Sequence, residues 1–287
     1  MVRKNARTIS PEDSARIARL RLMDDDFMTT CFNDYIEGAE LLLKIILGRD
    51  DLKVTEVKTQ KALKNLTGRD VWLDIYATDI YGDKYDIEIQ RADKGAHQKR
   101  ARYHSSMIDA DMLKPGEDFT DLCESYVIFI TENDVLDSSL PIYHINRSVD
   151  ETQVHFKDGE HIIYVNGSIR TRDTALGKLM NDFYCTDAKD MCYKELSSKV
   201  RHYKETMEGR QEMCDIWEEV RNEGIIKGKA EGKAEGKAEG KAEGKAEASV
   251  EHALAMIKDG SLSYEKIAKF SGLPVDKVRE LAGNKSA

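Results

Sequence analysis

LDIYATDIYGDKYDIEIQ, Leu73 to Gln90, reads as two short strands joined by a tight turn. Side chains alternate across a strand, so Val71, Leu73, Ile75 and Ala77 share one face and Trp72, Asp74, Tyr76 and Thr78 the other. On the second strand Tyr85, Ile87 and Ile89 take one face, and Asp86, Glu88 and Gln90 the opposite one. A turn centred on Gly82 sets Asp74 opposite Gln90, with Glu88 one diagonal step away. Opposed side chains have Cβ atoms about 5 Å apart and diagonal ones about 7 Å. Two carboxylates at that reach in a partly apolar setting repel unless a proton or cation lies between them. A hard divalent cation with oxygen ligands, Mg²⁺ or Mn²⁺, suits them. The plainer reading is an amphipathic hairpin with a solvated polar face, and the alternation alone leaves both open. Asp79, Asp83 and Asp93, nearer the turn and beyond it, read as surface acids.

Outward from the hairpin the chain alternates helical and strand patterns. Ser10-Pro11-Glu12 is a helix start: a capping hydroxyl, proline at the first helical position, then an acid. It opens a short helix to about Leu22. Phe27, Cys31, Phe32, Tyr35, Ala39, Leu42, Leu43 and Ile46 fit one apolar helical face that stops at Gly48. The runs LKVTEVKTQ, VWLDIYAT, KYDIEIQ and SYVIFIT are strand-like, as are PIYHINRS, TQVHF and HIIYVNG. A helical stretch from about His97 to Met112 separates the third run from the fourth. Thr174 to about Asn222 is helical. This order predicts an α/β mixed sheet flanked by helices, followed by a helical extension.

Gly228 to Glu247 is five copies of Gly-Lys-Ala-Glu. Each glycine costs about 1 kcal/mol in a helix relative to alanine. Like charges recur every four residues, and no opposite pair falls three or four apart. The segment therefore reads as a solvated spacer, only partly helical on its own. The other reading is a Gly/Ala ridge where two copies of the chain pack as helices. ASVEHALAMIKDG then forms an amphipathic helix. LSYEKIAKFSGLPVDKVRELA gives two short helices about Gly272, the skeleton of a helix-turn-helix. From Ser249 to Ala287 there are six Lys/Arg and five Asp/Glu, so this tail is nearly neutral. The expected divisions are an arm and short helix over 1–23, a main domain over 24–222, the spacer over 223–248 and the tail over 249–287.

At 287 residues, 40% hydrophobic and 34% charged, the chain holds one substantial core with appendages. It has no apolar run near the ~20 residues of a membrane span and no secretory apolar region near its start. Its five cysteines lack CxxC spacing, which points to reduced thiols and a cytoplasmic location. The net charge of −9 is unusual for a nucleic-acid partner, although a local basic strip can coexist with an acidic average.

The order Asp74, turn, Glu88-Ile89-Gln90 resembles the PD-(D/E)XK nuclease pattern, with glutamine at the usual lysine position. KRARYHSSMIDADMLKPGEDFTDLCESYVIFIT resembles the helix and next strand of the PD-(D/E)XK family transposases, or recombination-promoting nucleases. An E-x-Q form, an Arg/Tyr-bearing helix and a Gly-Lys-Ala-Glu tail are usual there. The resemblance runs from about Asp24 to the C-terminus. It implies a restriction-endonuclease-like fold and a Mg²⁺-dependent DNA endonuclease, with Mn²⁺ as an alternative ion.

By position, Asp74, Glu88 and Gln90 would be catalytic, with Asp74, Glu88 and the Ile89 carbonyl as metal ligands. Gln90 cannot act as a cation or a general base. Lys99, Arg100, Arg102 and Tyr103 would contact DNA, and Arg100 and Tyr103 share a helix face. Glu37 and Glu40 are candidates for an additional helix acid, though each also reads as a solvated residue. His97 and His104 read as surface or packing residues. The contrasting function is a nuclease-fold protein that no longer cuts and serves as a DNA-binding or assembly module. DNA is the expected partner, with self-association through the repeat and tail.

Overall fold

The computed structural model describes residues 9–65 and 67–283; the start of the expected arm and the last four residues of the tail lie outside the described residues. The order in the main unit is α1 (Pro11–Arg19), α2 (Asp25–Phe32), α3 (Ile36–Leu47), β1 (Val54–Leu63), β2 (Val71–Asp79), β3 (Lys84–Gln90), α4 (Gln98–Met112) and β4 (Ser125–Thr131). Then come β5 (Ile142–Ile145), β6 (Ser148–Val149), β7 (Val154–His155), β8 (Glu160–Asn166), α5 (Ala175–Tyr184) and α6 (Lys194–Glu205). Helices α7 (Met207–Asp259), α8 (Tyr264–Ser271) and α9 (Val275–Gly283) complete the chain. The result is a mixed six-stranded sheet, ordered β1-β2-β3-β4-β8-β5, flanked by helices, with a helical C-terminal region.

β1, β2 and β3 form an antiparallel meander. α4 then carries the chain to β4, which runs parallel to β3, as β8 runs parallel to β4. One sheet face meets α4: Ala101, Met107 and Ile108 pack with Tyr76, Val127, Phe129 and Tyr164. Asp86 and Glu88 lie on this same face, because they pair with Val127 and Phe129 in the parallel ladder. The opposite face carries the odd-numbered Tyr85, Ile87 and Ile89 of β3, all buried.

Four local expectations are corrected. The single helix from Phe27 to Leu47 is two, because Asp34 has φ 51°, a left-handed conformation that Asn and Asp adopt more readily than most residues. The hairpin is registered two residues away from a turn centred on Gly82: Ile75 faces Ile87 and Tyr76 faces Asp86. The next pair is therefore Asp74 with Glu88 rather than Asp74 with Gln90. The cause is Asp79, whose Oδ1 accepts the N–H groups of Tyr81 and Asp83 at 2.9 and 3.0 Å and organises the turn. Asp79 is consequently buried rather than a surface acid, and its other oxygen accepts the Tyr85 hydroxyl at 3.0 Å. Alternation on β2 also breaks at Asp74, since Val71 and Leu73 join the same cluster as Tyr76. Opposite the break, Gln60 of β1 has φ 52°, so the meander kinks there.

The chain divides into compact units at residues 1–215 and 216–287. In the second, Ala253, Ile267, Ala268 and Val278 make a small core with Leu273 and Leu281, as a helix-turn-helix skeleton requires. Gly260 and Gly272 sit at φ 71° and 74°, where a residue without Cβ ends a helix at little cost. Within the chain the Gly-Lys-Ala-Glu repeat is helical throughout. Extending a helix adds one hydrogen bond per residue without a new nucleus, and apolar residues such as Met213 and Ala253 are buried on either side of the repeat. Nothing lies within 4 Å of a Cβ built at Gly228, Gly232, Gly236, Gly240 or Gly244.

Candidate active site

The backbone pairing of β2 with β3 ends at Ile75 and Ile87, and side chains take over beyond it. The Ile89 N–H donates to Asp74 Oδ2 at 3.0 Å, and the Asp74 N–H donates to Glu88 Oε1 at 3.1 Å. Each carboxylate thus stands where a carbonyl of the ladder would be. Ile89 meets Asp74 through its N–H. Gln60 Nε2 reaches Asp74 Oδ1 at 3.4 Å and Asp25 Oδ1 at 3.4 Å, which brings the first turn of α2 to the site.

Glu88 is fully buried, and further donors converge on its Oε2: Gln90 Nε2 at 3.2 Å and an Arg100 guanidinium nitrogen at 2.7 Å. Arg100 also donates to Gln90 Oε1 and to the Gly95 carbonyl, each at 3.3 Å. Gly95 has a steric role here, since a Cβ at that position would lie 1.8 Å from Gln90 Oε1.

Asp86 and His104, absent from the expected site, are buried within it. His104 Nδ1 lies 2.9 Å from Asp86 Oδ2 and 3.6 Å from Glu88 Oε1. Arg100 Nε donates to His104 Nε2 at 3.2 Å. An arginine Nε–H only donates, so His104 Nε2 must be bare and the proton must sit on Nδ1, facing Asp86. Burial, which lowers the His104 pKa, favours this neutral form. The chain Asp86–His104–Arg100 thereby aims the guanidinium at Glu88 and Gln90. His104 is neither a surface residue nor simple packing.

The electrostatics are those of a site short of positive charge. Burial pushes the Asp74 carboxyl up to about 6, with Asp25 adding to the rise and the Ile89 N–H and Arg100 opposing it. Burial likewise holds Asp86 and Glu88 well above the usual carboxylate range, and the charge of Asp74 adds to both. For Glu88 these effects outweigh Arg100 and His104. Asp86 Oδ1 is buried without a hydrogen-bond partner. Asp86, Glu88 and His104 each offer an atom within 4.8 Å of one another, but His104 could serve as a metal ligand there only after losing its Nδ1 proton. Crowded carboxylate oxygens with one orphaned acceptor fit a hard divalent cation.

The remaining candidates separate. Arg100 and Tyr103 line a cleft of about 800 Å³ together with Arg69, Trp72, Lys94 and Lys99. Arg102 is exposed on α4 and is not part of that lining. His97 caps α4 through its Nδ1, which accepts the Lys99 N–H at 3.0 Å. Glu40 is held by Lys44, Lys53 and the Val54 N–H. Val54 is six positions from Gln60 on the same strand, about 20 Å at ~3.3 Å per residue. Glu37 is exposed on α3. Neither glutamate joins the Asp74–Glu88 pair; the nearby helix acid is Asp25.

A signal for Asp86 was present, because it shares the alternating face of Glu88 and Gln90. His104 lies four residues after Arg100, one helical turn along the same face. No local pattern announces Asp25 or Gln60, which only the tertiary fold brings in. Residues 40–168 match the family described as PD-(D/E)XK nuclease family transposase. No curated protein and no solved structure matches the chain.

Proposed function

From the match of residues 40–168 to the PD-(D/E)XK nuclease family transposases, we propose that the protein is a divalent-metal-dependent DNA endonuclease. The observation that carries this reading is the hydrogen-bonded cluster of Asp74, Glu88, Gln90 and Arg100, joined through Arg100 to a cleft rich in cations. Asp74 and Glu88, with the Ile89 carbonyl, would hold Mg²⁺ or Mn²⁺. Bound there, the cation would polarise the scissile phosphate, lower the pKa of the attacking water and stabilise the leaving oxygen. Gln90 orients the water or a phosphate oxygen through its amide. Arg100, now on Glu88, offers its guanidinium to the phosphate, and His104 with Asp86 keeps that group aimed. Lys99, Arg102 and Tyr103 contact the DNA backbone on either side.

Supercoiled plasmid with Mg²⁺, Mn²⁺ or EDTA, and wild type beside Asp74→Asn, tests the reading. Metal-dependent nicking by wild type that disappears in the variant is expected. A second reading is a binding or assembly module that no longer cuts. It is favoured by Arg100 already occupying Glu88 Oε2 and by glutamine at the lysine position. Metal binding and DNA binding without any nicking would select it. Among the described residues no helix is long and apolar enough to cross a membrane. Self-association through the repeat and tail, and a cytoplasmic location, remain part of the proposal.

A further inference from the structure

The cleft beside Arg100 contains a feature that phosphate binding does not require. Trp72 is 55% exposed although it belongs to a strand whose neighbours Val71 and Leu73 are buried. Trp72 lies two positions before Asp74 on β2, about 7 Å along the strand. Lys64 Nζ stands 5.6 Å from the centre of its ring.

In the same lining, Tyr103 is fixed by its hydroxyl, which donates to the Arg69 carbonyl at 2.6 Å and accepts from Asn65 Nδ2 at 3.2 Å. Arg69, Lys94, Lys99 and Arg100 supply four cations to the lining, in a protein of net charge −9. The acid in the lining, Asp70, is already paired with Lys64 at 2.9 Å. An anionic ligand with a flat apolar part matches these walls.

We infer that the cleft receives an unpaired nucleotide of the DNA, its base stacked on Trp72 and its phosphates held by Arg69, Lys94 and Lys99. This rests on the nuclease reading and names its substrate class: single-stranded or locally opened DNA. A concavity of about 800 Å³ has room for a nucleotide. Base stacking on an aromatic side chain tolerates any sequence, because every base presents a π-face. Paired bases hide those faces, so an intact duplex leaves Trp72 without a partner until a nucleotide is turned out of the stack. Arg100 lines the cleft and touches Glu88, which places the adjoining phosphate beside the carboxylates.

The test uses the full chain in EDTA, so that nothing is cut. A short fluorescein-labelled single strand and the blunt duplex of the same sequence are titrated with wild type, Trp72→Ala and Trp72→Phe, each variant first shown to unfold at the wild-type temperature. Tighter binding of the single strand by wild type is expected. Trp72→Ala should weaken that binding about tenfold, and Trp72→Phe should retain most of it. Single-strand affinity unchanged in Trp72→Ala, or equal losses on single strand and duplex, would overturn the inference. Wild-type plasmid nicking is scored separately. Nicking that persists when the stacking result fails leaves the nuclease reading standing. Stacking without nicking overturns that reading alone.

Discussion

Replacing Asp74 by asparagine should stabilise the metal-free protein while destroying its activity. Burial raises the Asp74 pKa from 3.8 to about 6. Each tenfold change in proton affinity is worth about 1.36 kcal/mol, so ionised Asp74 at pH 8 costs the fold up to about 3 kcal/mol relative to its protonated form. Between pH 3.8 and about 6 the folded chain binds this proton and the unfolded chain does not. The contribution is therefore favourable at low pH and is lost as pH rises through that window. Asparagine keeps a side-chain oxygen for the Ile89 N–H and removes the charge. For a domain of this size 1 kcal/mol is worth about 2–4 °C. Thermal unfolding in EDTA at pH 8 should place Asp74→Asn several degrees above wild type, and the two should converge near pH 4. Saturating Mg²⁺ should raise wild type by about 2.7 kcal/mol at 100 times Kd and leave the variant nearly unmoved. An asparagine variant less stable than wild type in EDTA at pH 8 would refute the claim that Asp74 is held ionised against its environment.

Gly95→Ala should push the Gln90 side chain aside, because its Cβ would lie 1.8 Å from Gln90 Oε1. That end is flexible, so nicking should fall at least about tenfold while the melting temperature stays within a few degrees. Arg100→Lys should cut the nicking rate by about 10²-fold on plasmid with the fold preserved, since one ammonium cannot contact His104, Glu88, Gln90 and the Gly95 carbonyl together. Lys204 donates to the carbonyls of Ala18, Leu20 and Thr186 while 7% exposed. Lys204→Met strands those acceptors and should cost about 2–3 kcal/mol in urea unfolding, without a specific effect on metal affinity.

Much of the sheet was legible because alternating and continuous apolar runs have few other ways to be buried. The β3 and β4 strands fall where KYDIEIQ and SYVIFIT put them. What escaped depended on single side chains acting on the backbone. Asp79 gathers two N–H groups in the hairpin turn and so shifts the register by two, a choice that the glycine in the turn does not reveal. Asp34 adopts a left-handed conformation inside an otherwise continuous apolar helical pattern, which periodicity cannot foresee. At the site, Asp74 and Glu88 were visible as acids on one face. Their neighbours came from places that spacing alone does not connect: Asp25 and Gln60 across the kink, and His104 through a hydrogen bond whose direction only the Arg100 Nε–H decides.

Beyond the chemistry proposed for them, the carboxylates at positions 74 and 88 are fasteners, for they complete the ladder where β2 and β3 part. Alanine at either position loosens the hairpin along with any reaction it serves, whereas asparagine at 74 keeps an oxygen for the Ile89 N–H. Any loss of activity through asparagine at position 74 would therefore leave a lineage with a sound, even sturdier, framework. From there one base change restores the acid. A protein built this way can fall silent and return without passing through a misfolded ancestor.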